Sequence, residues 1–284
     1  MNDYEILLSN GRDTLRLAPD GDGRLLEGGL DGIGCAGFDV KIAPLAAEAG
    51  GYAQRRRFAE REITVSFEVP AETASAVRRR VIALLDPTVD LELSLSIGGE
   101  NRVVTVIPDG EAVFSQPSFL DPLVITVTLL APSVFLRDQA DQTAEFRSTI
   151  PLFTFPLNTM EGAGTVTGFL LDSDEATVDN PGDAPCGVRA VLRAVGGSVV
   201  RPGIACGEKT IRCPLTLEAG DELVIDTHPR QKNITLNGER TFVFERDSDF
   251  FEIPVGRSSL SVLCDSGAES LIAEISFTPL YFGM

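Results

Sequence analysis

A search for chemistry begins at His228, the one histidine of the chain. A Ser–His–Asp hydrolase would have to use it as its general base, and a site built on several histidines is impossible within one chain. His228 stands in Asp226-Thr227-His228-Pro229-Arg230, between two apolar alternations, and no GxSxG elbow supplies a nucleophile. It reads as a solvated turn histidine. The five cysteines, Cys35, Cys186, Cys206, Cys213 and Cys264, contain no CxxC pair, and Cys206 and Cys213 are too far apart for a zinc knuckle. They read as buried, reduced thiols. The run from Gly28 to Gly34 has glycines but lacks the GKS or GKT ending of a phosphate cradle, and reads as a flexible loop. Glycoside hydrolysis needs two carboxylates, and the chain carries 42 Asp and Glu. Residues this common read first as solvated surface. No pattern calls for a metal or a cofactor, and the expectation is a protein that is not an enzyme.

Arginine is the exception to the acidic character of the chain. Lys and Arg number 24, so the formal net charge is −18. That balance argues against specific nucleic-acid binding, which depends on cations meeting phosphates. Against it stands Gln54-Arg55-Arg56-Arg57-Phe58-Ala59-Glu60-Arg61, preceded by Ala49-Gly50-Gly51. Two readings are open. One is a solvated loop. The other is a contact loop through which Arg55, Arg56, Arg57 and Arg61 meet the acidic face of a neighbouring subunit. A sugar site would call for exposed aromatic rings, yet there is no tryptophan, and Tyr4, Tyr52 and Tyr281 lie outside the middle of the second half.

The elements that must position these residues are mostly strands. Ile63, Val65, Phe67 and Val69 alternate with polar residues, as do Val89, Leu91, Leu93, Leu95 and Ile97. Gly98-Gly99 supplies the turn that makes residues 89–107 a hairpin. Ala74, Val77, Val81, Leu84 and Leu85 recur at helical spacing, predicting one helix over about 71–85, stopped by Asp86-Pro87 and laid on the neighbouring sheet. Both alternating sets over Leu123–Leu130 contain large apolar residues, so that strand is expected to be covered on both faces. The polar stretch Asp138 to Ser148 suggests a boundary between residues 1–148 and 149–284, with the last residues returning to the first domain. Beyond it, short strands about ten residues apart are expected at 165–171, 175–179, 187–194, 209–216, 222–226, 232–236, 240–245, 259–264 and 270–277, a sandwich pattern. Asn237-Gly238 marks a tight hairpin. An initial strand is expected at Tyr4 to Ser9, followed by a long loop containing Cys35. No apolar run approaches the length of a membrane span. The acidic start lacks the basic and apolar stretches of a secretion signal, so folding in the cytoplasm is expected.

Three stretches together resemble the distal tail (Dit) family of siphophages. They are GGYAQRRRFAEREITVSFEV at 50–69, VITVTLLAPSVFLRD at 124–138, and LEAGDELVIDTHPRQKNITLNGER at 217–240. Pro254-Val255-Gly256 and Thr278-Pro279-Leu280-Tyr281 add a turn and an ending of the same kind. The resemblance implies a mainly β protein: an N-terminal sheet or barrel-like ring domain with one helix, then a C-terminal galectin-like β-sandwich. It also implies a homo-hexameric ring at the phage or prophage tail tip, assembled in the bacterial host cytoplasm. The ring would join the tail tube protein to the tail-associated hub protein, with receptor-binding proteins docked at its periphery. The rival functions are a tail tube subunit, a carbohydrate-binding module and a polysaccharide hydrolase.

Overall fold

The computed structural model describes residues 4–45, 49–147, 175–229 and 231–284. Contacts divide the chain into unit 1, Met1–Gln139 with Leu280–Met284, and unit 2, Ala140–Pro279.

Unit 1 opens with β1 (Tyr4–Ser9), β2 (Thr14–Leu17) and β3 (Arg24–Asp31). The expected long loop of the first forty residues thus holds two more strands, and the glycine run begins inside β3. Gly32 sits there because its φ is +82° and a Cβ would lie 1.9 Å from the Glu62 carbonyl oxygen. Next come β4 (Phe38–Pro44), β5 (Gly51–Phe58), β6 (Arg61–Val69), the helix α1 (Ala74–Leu84), β7 (Leu91–Ile97), β8 (Glu100–Pro108), β9 (Val113–Ser115), β10 (Leu123–Ala131) and β11 (Leu136–Asp138). The main sheet is antiparallel in the order β2-β1-β7-β8-β10-β6-β3, with β9 and β11 attached to its side. This path ends at β2 and β3 without a pairing between them, so the barrel-like reading resolves to an open sheet among the described residues.

The predicted hairpin is present, with Leu91 opposite Val106 and Ile97 opposite Glu100 across Gly98 and Gly99, both at positive φ. The helix begins at Ala74, not 71, because Pro70 to Thr73 form a turn in which the Thr73 amide donates to the Pro70 carbonyl at 3.1 Å. Its stripe of Ala74, Val77, Val81 and Leu84 is buried in one cluster with Leu91, Leu93 and Leu95. Arg79 faces water, the exposed Arg78 guanidinium lies over the Phe114 ring at 4.8 Å, and Arg80 pairs with Asp22 at 2.7 Å. Strand β10 buries Leu123, Ile125, Val127, Leu129 and Ala131; its other face is half-buried, so the expectation of two covered faces is corrected. There the Ser66 and Thr126 hydroxyls pair across the β6–β10 ladder at 2.9 Å, which suits a partly wet face.

Unit 2 comprises β12 (Gln142–Arg147), β13 (Glu175–Asn180), β14 (Val188–Ala194), β15 (Val199–Val200), β16 (Gly203–Cys206), β17 (Lys209–Arg212), β18 (Thr216–Leu217), β19 (Glu222–Asp226), β20 (Asn233–Leu236), β21 (Glu239–Thr241), β22 (Gly256–Leu263) and β23 (Leu271–Phe277). Strand β24 (Leu280–Tyr281) then pairs with β11 in unit 1. A six-stranded sheet runs β12-β23-β14-β19-β20-β21, a four-stranded one β13-β22-β16-β17, and β15 pairs with β18. Val188, Leu192, Leu223, Ile225 and Ile275 from the first sheet and Ile204, Ile211 and Leu260 from the second are buried, giving the expected sandwich. Asn237 (φ 51°) and Gly238 (φ 82°) make the predicted tight turn. The strand expected at 240–245 stops at Thr241, after which Phe242, Val243 and Phe244 are exposed. The strand expected at 209–216 breaks into β17 and β18. The strand expected at 165–171 lies outside the described residues, and β12 falls inside the polar stretch from Asp138 to Ser148.

The cysteines divide by burial. Cys186 and Cys213 are buried, and desolvation of the thiolate pushes each thiol up to about 12. Cys206 is half-buried and raised by the same cause, whereas Cys35 is exposed, contrary to the expectation of five buried thiols. In the folded chain at pH 8, a maleimide should label the exposed Cys35 well ahead of Cys186 and Cys213, because burial both hides those two thiols and holds them protonated, and only the thiolate reacts. Peptide mapping by mass spectrometry checks this. Equal labelling of Cys35 and Cys213 would mean that β17 and its surroundings open freely.

Candidate subunit interface

The arginine run is not a loop. Arg55, Arg56 and Arg57 lie on β5, which pairs with β4 in a two-stranded ribbon. Among the described residues this ribbon pairs with no other sheet. The alternation of Phe38, Val40 and Ile42 in β4 forms its strand, and Gly50, at φ 112°, allows the chain to turn back.

Register assigns the side chains to faces. Phe38 lies opposite Phe58, Val40 opposite Arg56 and Ile42 opposite Ala53, which puts these on one face. Asp39 opposite Arg57, Lys41 opposite Arg55 and Ala43 opposite Tyr52 form the other, with a register shift between Lys41 and Ile42. Apart from Arg56 the first face is apolar, and it is uncovered: Phe38, Val40 and Ile42 are 64%, 52% and 66% exposed. The second is cationic, with Arg57 paired to Asp39 at 2.8 Å and Arg55 and Lys41 exposed. A lone two-stranded ribbon is marginal in water, and a row of exposed β-branched and aromatic side chains ordinarily marks a contact surface.

Arg61 separates from the other three arginines. It is 3% exposed, at the start of β6. Its guanidinium donates to the carbonyls of Val134 (2.8 Å), Gly32 (2.6 Å), Gly34 (2.9 Å) and Phe282. Burial pulls its pKa down from the ordinary arginine value, yet four oriented carbonyls accept from its three nitrogens. Arg61 is therefore a buried bolt of unit 1, and its place in the contact set is withdrawn.

His228 follows β19. Its amide donates to Asp226 Oδ1 at 2.9 Å, and its Nδ1 lies 2.8 Å from the same oxygen. Its side chain is half-buried rather than fully solvated, and Gly187 packs on its backbone so closely that a Cβ would lie 2.5 Å from the His228 Cα. The Asp226 contacts fix a turn.

Two arrangements carried little sequence signal. Arg201, at φ 52°, pairs with Glu245 and with Asp265 (2.7 Å), and Asp265 also accepts from Arg212 at 2.8 Å. Arg201 hydrogen bonding, with Arg212 beside it, holds the Asp265 carboxyl below its usual range. The other is the aromatic group Phe38, Phe58, Phe135 and Phe282, whose rings lie 5.1–5.9 Å apart in successive pairs.

Among the described residues, the chain combines an open antiparallel sheet carrying one α-helix, a β-sandwich and a two-stranded ribbon that joins neither. Residues 182–281 match the family of siphovirus-type tail components, C-terminal domain (SPP1 Dit). The fold of the whole chain is similar to the crystal structure of SPP1 Dit (gp 19.1), described as a paradigm of the hub adsorption apparatus in phages infecting Gram-positive hosts. There the TM-score is 0.68 at 14% identity, covering 98% of this chain and 99% of that one. It is also similar to a chain of the phage P2 baseplate in its activated conformation with calcium, at TM-score 0.55 and 11% identity over 98% of each chain. The strontium form of that baseplate gives the same score and identity over 97% of this chain and 98% of that one. No curated protein matches. The family match thus covers the larger part of unit 2, and the likeness to the solved phage structures extends the shared fold to the whole chain.

Proposed function

We propose that the chain is a ring subunit of a siphophage tail tip, closing a homo-hexamer through the β4–β5 ribbon and acting by assembly, not catalysis. On this reading unit 1 forms the ring. It receives the tail tube protein on one side and the hub protein on the other, and unit 2 offers a sandwich to receptor-binding proteins. The domain roles, with unit 1 as ring and unit 2 as projecting sandwich, belong to the same proposal. The particle is built in the bacterial host cytoplasm and the subunit ends in the virion.

The ribbon carries the proposal. Burying an exposed aliphatic or aromatic side chain is worth about 1.5–3 kcal/mol. Phe38, Val40 and Ile42 together therefore offer a neighbour several kcal/mol that the isolated chain leaves unused. Arg55 and Arg56 add attraction toward a neighbour drawn from a chain of net charge −18. A heterologous contact of this kind closes into a ring when its rotation divides the circle.

At high protein concentration, mass measurement should find six copies of the 30.4 kDa chain, and negative-stain microscopy should show a ring with sixfold symmetry. A chain that stays monomeric under those conditions, with or without a tail tube protein, sinks the ring. The same sample incubated with host cell-wall polysaccharide should release no reducing ends. Robust hydrolysis lost on replacing one acidic residue would overturn the non-catalytic assignment.

A further inference from the structure

Both roots of the ribbon rest on a segment that the chain reaches only after unit 2. Phe282 places its ring 5.1 Å from Phe58, the last residue of β5, and 5.9 Å from Phe135; Phe58 in turn meets Phe38, the first residue of β4, at 5.5 Å. The Phe282 carbonyl accepts from the Ala36 amide at 3.1 Å, two residues before β4, and from the Arg61 guanidinium, three residues after β5. The Met284 amide donates to the Ile33 carbonyl at 3.0 Å. Gly283 lies so close to the Gly34 carbonyl oxygen that a Cβ there would stand 2.5 Å from it. Upstream, Tyr281 and Leu280 pair with Leu136 and Arg137, and the Arg102 guanidinium lies 3.7 Å from the centre of the Tyr281 ring.

We propose that residues 280–284 seat the β4–β5 ribbon and thereby act as an assembly gate: the ribbon is held in its docking geometry only after unit 2 has been made. The proposal rests on the reading of the ribbon as the ring contact. Its physical basis is the cost of ordering. A ribbon entered through Gly34 and Gly37 and unsupported by a larger sheet spends its time in many orientations, and a neighbour must then supply the ordering free energy. Phe282 and its carbonyl supply it in advance. Chain order makes the device a checkpoint, because residues 140–279 lie between the ribbon and its seat. Synthesis proceeds from the N-terminus, so a nascent chain lacking unit 2 carries an unseated ribbon and is kept out of the ring.

The test uses the full chain and Phe282→Ala, read by hydrogen exchange and by assembly. In the variant the amides of β4 and β5, with those of Ala36 and Met284, should exchange about tenfold faster, the equivalent of about 1.4 kcal/mol. Exchange in β6 and β10 should be unchanged, and the protein concentration at half-assembly should rise about tenfold. Ribbon exchange equal to the parent's overturns the seat. If the parent never assembles, the ring reading falls while ribbon exchange still decides the seat. Pulse-labelled refolding of the unaltered chain decides it independently of any variant's folding. Ribbon amides should gain protection in the same phase as those of Ala36 and Met284; protection ahead of them overturns the gate.

Discussion

Val81→Asp should unfold unit 1 or badly destabilise it. Val81 is 1% exposed and borders a small apolar void with Ile6, Leu15, Phe67 and Leu93. None of these can accept or donate to a carboxylate. The substitution removes the valine contacts and leaves a charge without a partner, at a cost of about 3–5 kcal/mol by analogy with breaking a buried pair. That is a large part of the roughly 5–15 kcal/mol that holds a domain together. The neighbouring Ile82→Asp is the control: Ile82 faces outward on the same helix, and its replacement should shift stability by no more than about 0.5 kcal/mol. The pH dependence carries a sign. Burial raises the new carboxyl's folded-state pKa above its unfolded value of about 3.9, so the folded chain binds the extra proton between the two. The deficit relative to the parent is therefore greatest above the folded-state pKa and shrinks as pH falls toward about 4. Urea denaturation of both variants and the parent at several pH values checks this. A Val81→Asp midpoint equal to the parent's would refute the helix packing.

That helix was legible because its signal is local. Four buried positions at helical spacing and an Asp-Pro stop lie close together between Ala74 and Pro87, and the register of the 89–107 hairpin follows from alternation around two glycines. The ribbon was less legible. Phe38, Val40 and Ile42 alternate, but the run is short, and its partner strand carries three successive arginines with a register shift across from them. A run of like residues has no period to read, so β5 passed for a loop. Arg61 was misread for a different reason. Its acceptors come from Gly32, Gly34, Val134 and Phe282, up to 221 positions away, and nothing in the neighbouring sequence separates it from Arg57. The exposed guanidinium in a charge run and the buried one bonded to carbonyls are the same letter until long-range contacts distinguish them. The same holds for Phe282, whose role is set by rings at Phe58 and Phe135.

Reversing the arginines of β5 should dissociate the proposed ring while leaving the subunit folded, and the two faces of the ribbon should respond differently to salt. Arg55 and Arg57 stand on the cationic face with Lys41, while Arg56 shares the other face with Val40. Arg55→Glu, Arg56→Glu and Arg57→Glu together exchange attraction for repulsion and also set a carboxylate beside Asp39, the present partner of Arg57. An exposed ion pair is worth about 0–1 kcal/mol, so one lost pair would barely register. Reversal across every interface of a closed ring multiplies that effect, and half-assembly should move by about a hundredfold or more, toward monomer. Added salt should narrow the gap between the triple variant and the parent, because the screening length is about 8 Å at 0.15 M and about 3 Å at 1 M. Ile42→Ser tests the apolar face alone. It gives up burial worth about 1.5–3 kcal/mol, so half-assembly should rise about ten- to a hundredfold, with little dependence on salt. Both variants should keep the parent's near-ultraviolet circular dichroism and urea midpoint, since Ile42 and the three arginines face outward in the isolated chain. Mass measurement across a concentration series at low and high salt reads all of these. If the triple variant assembles like the parent at both salts, the cationic face lies outside the interface; if Ile42→Ser does so as well, the ribbon is not the ring contact.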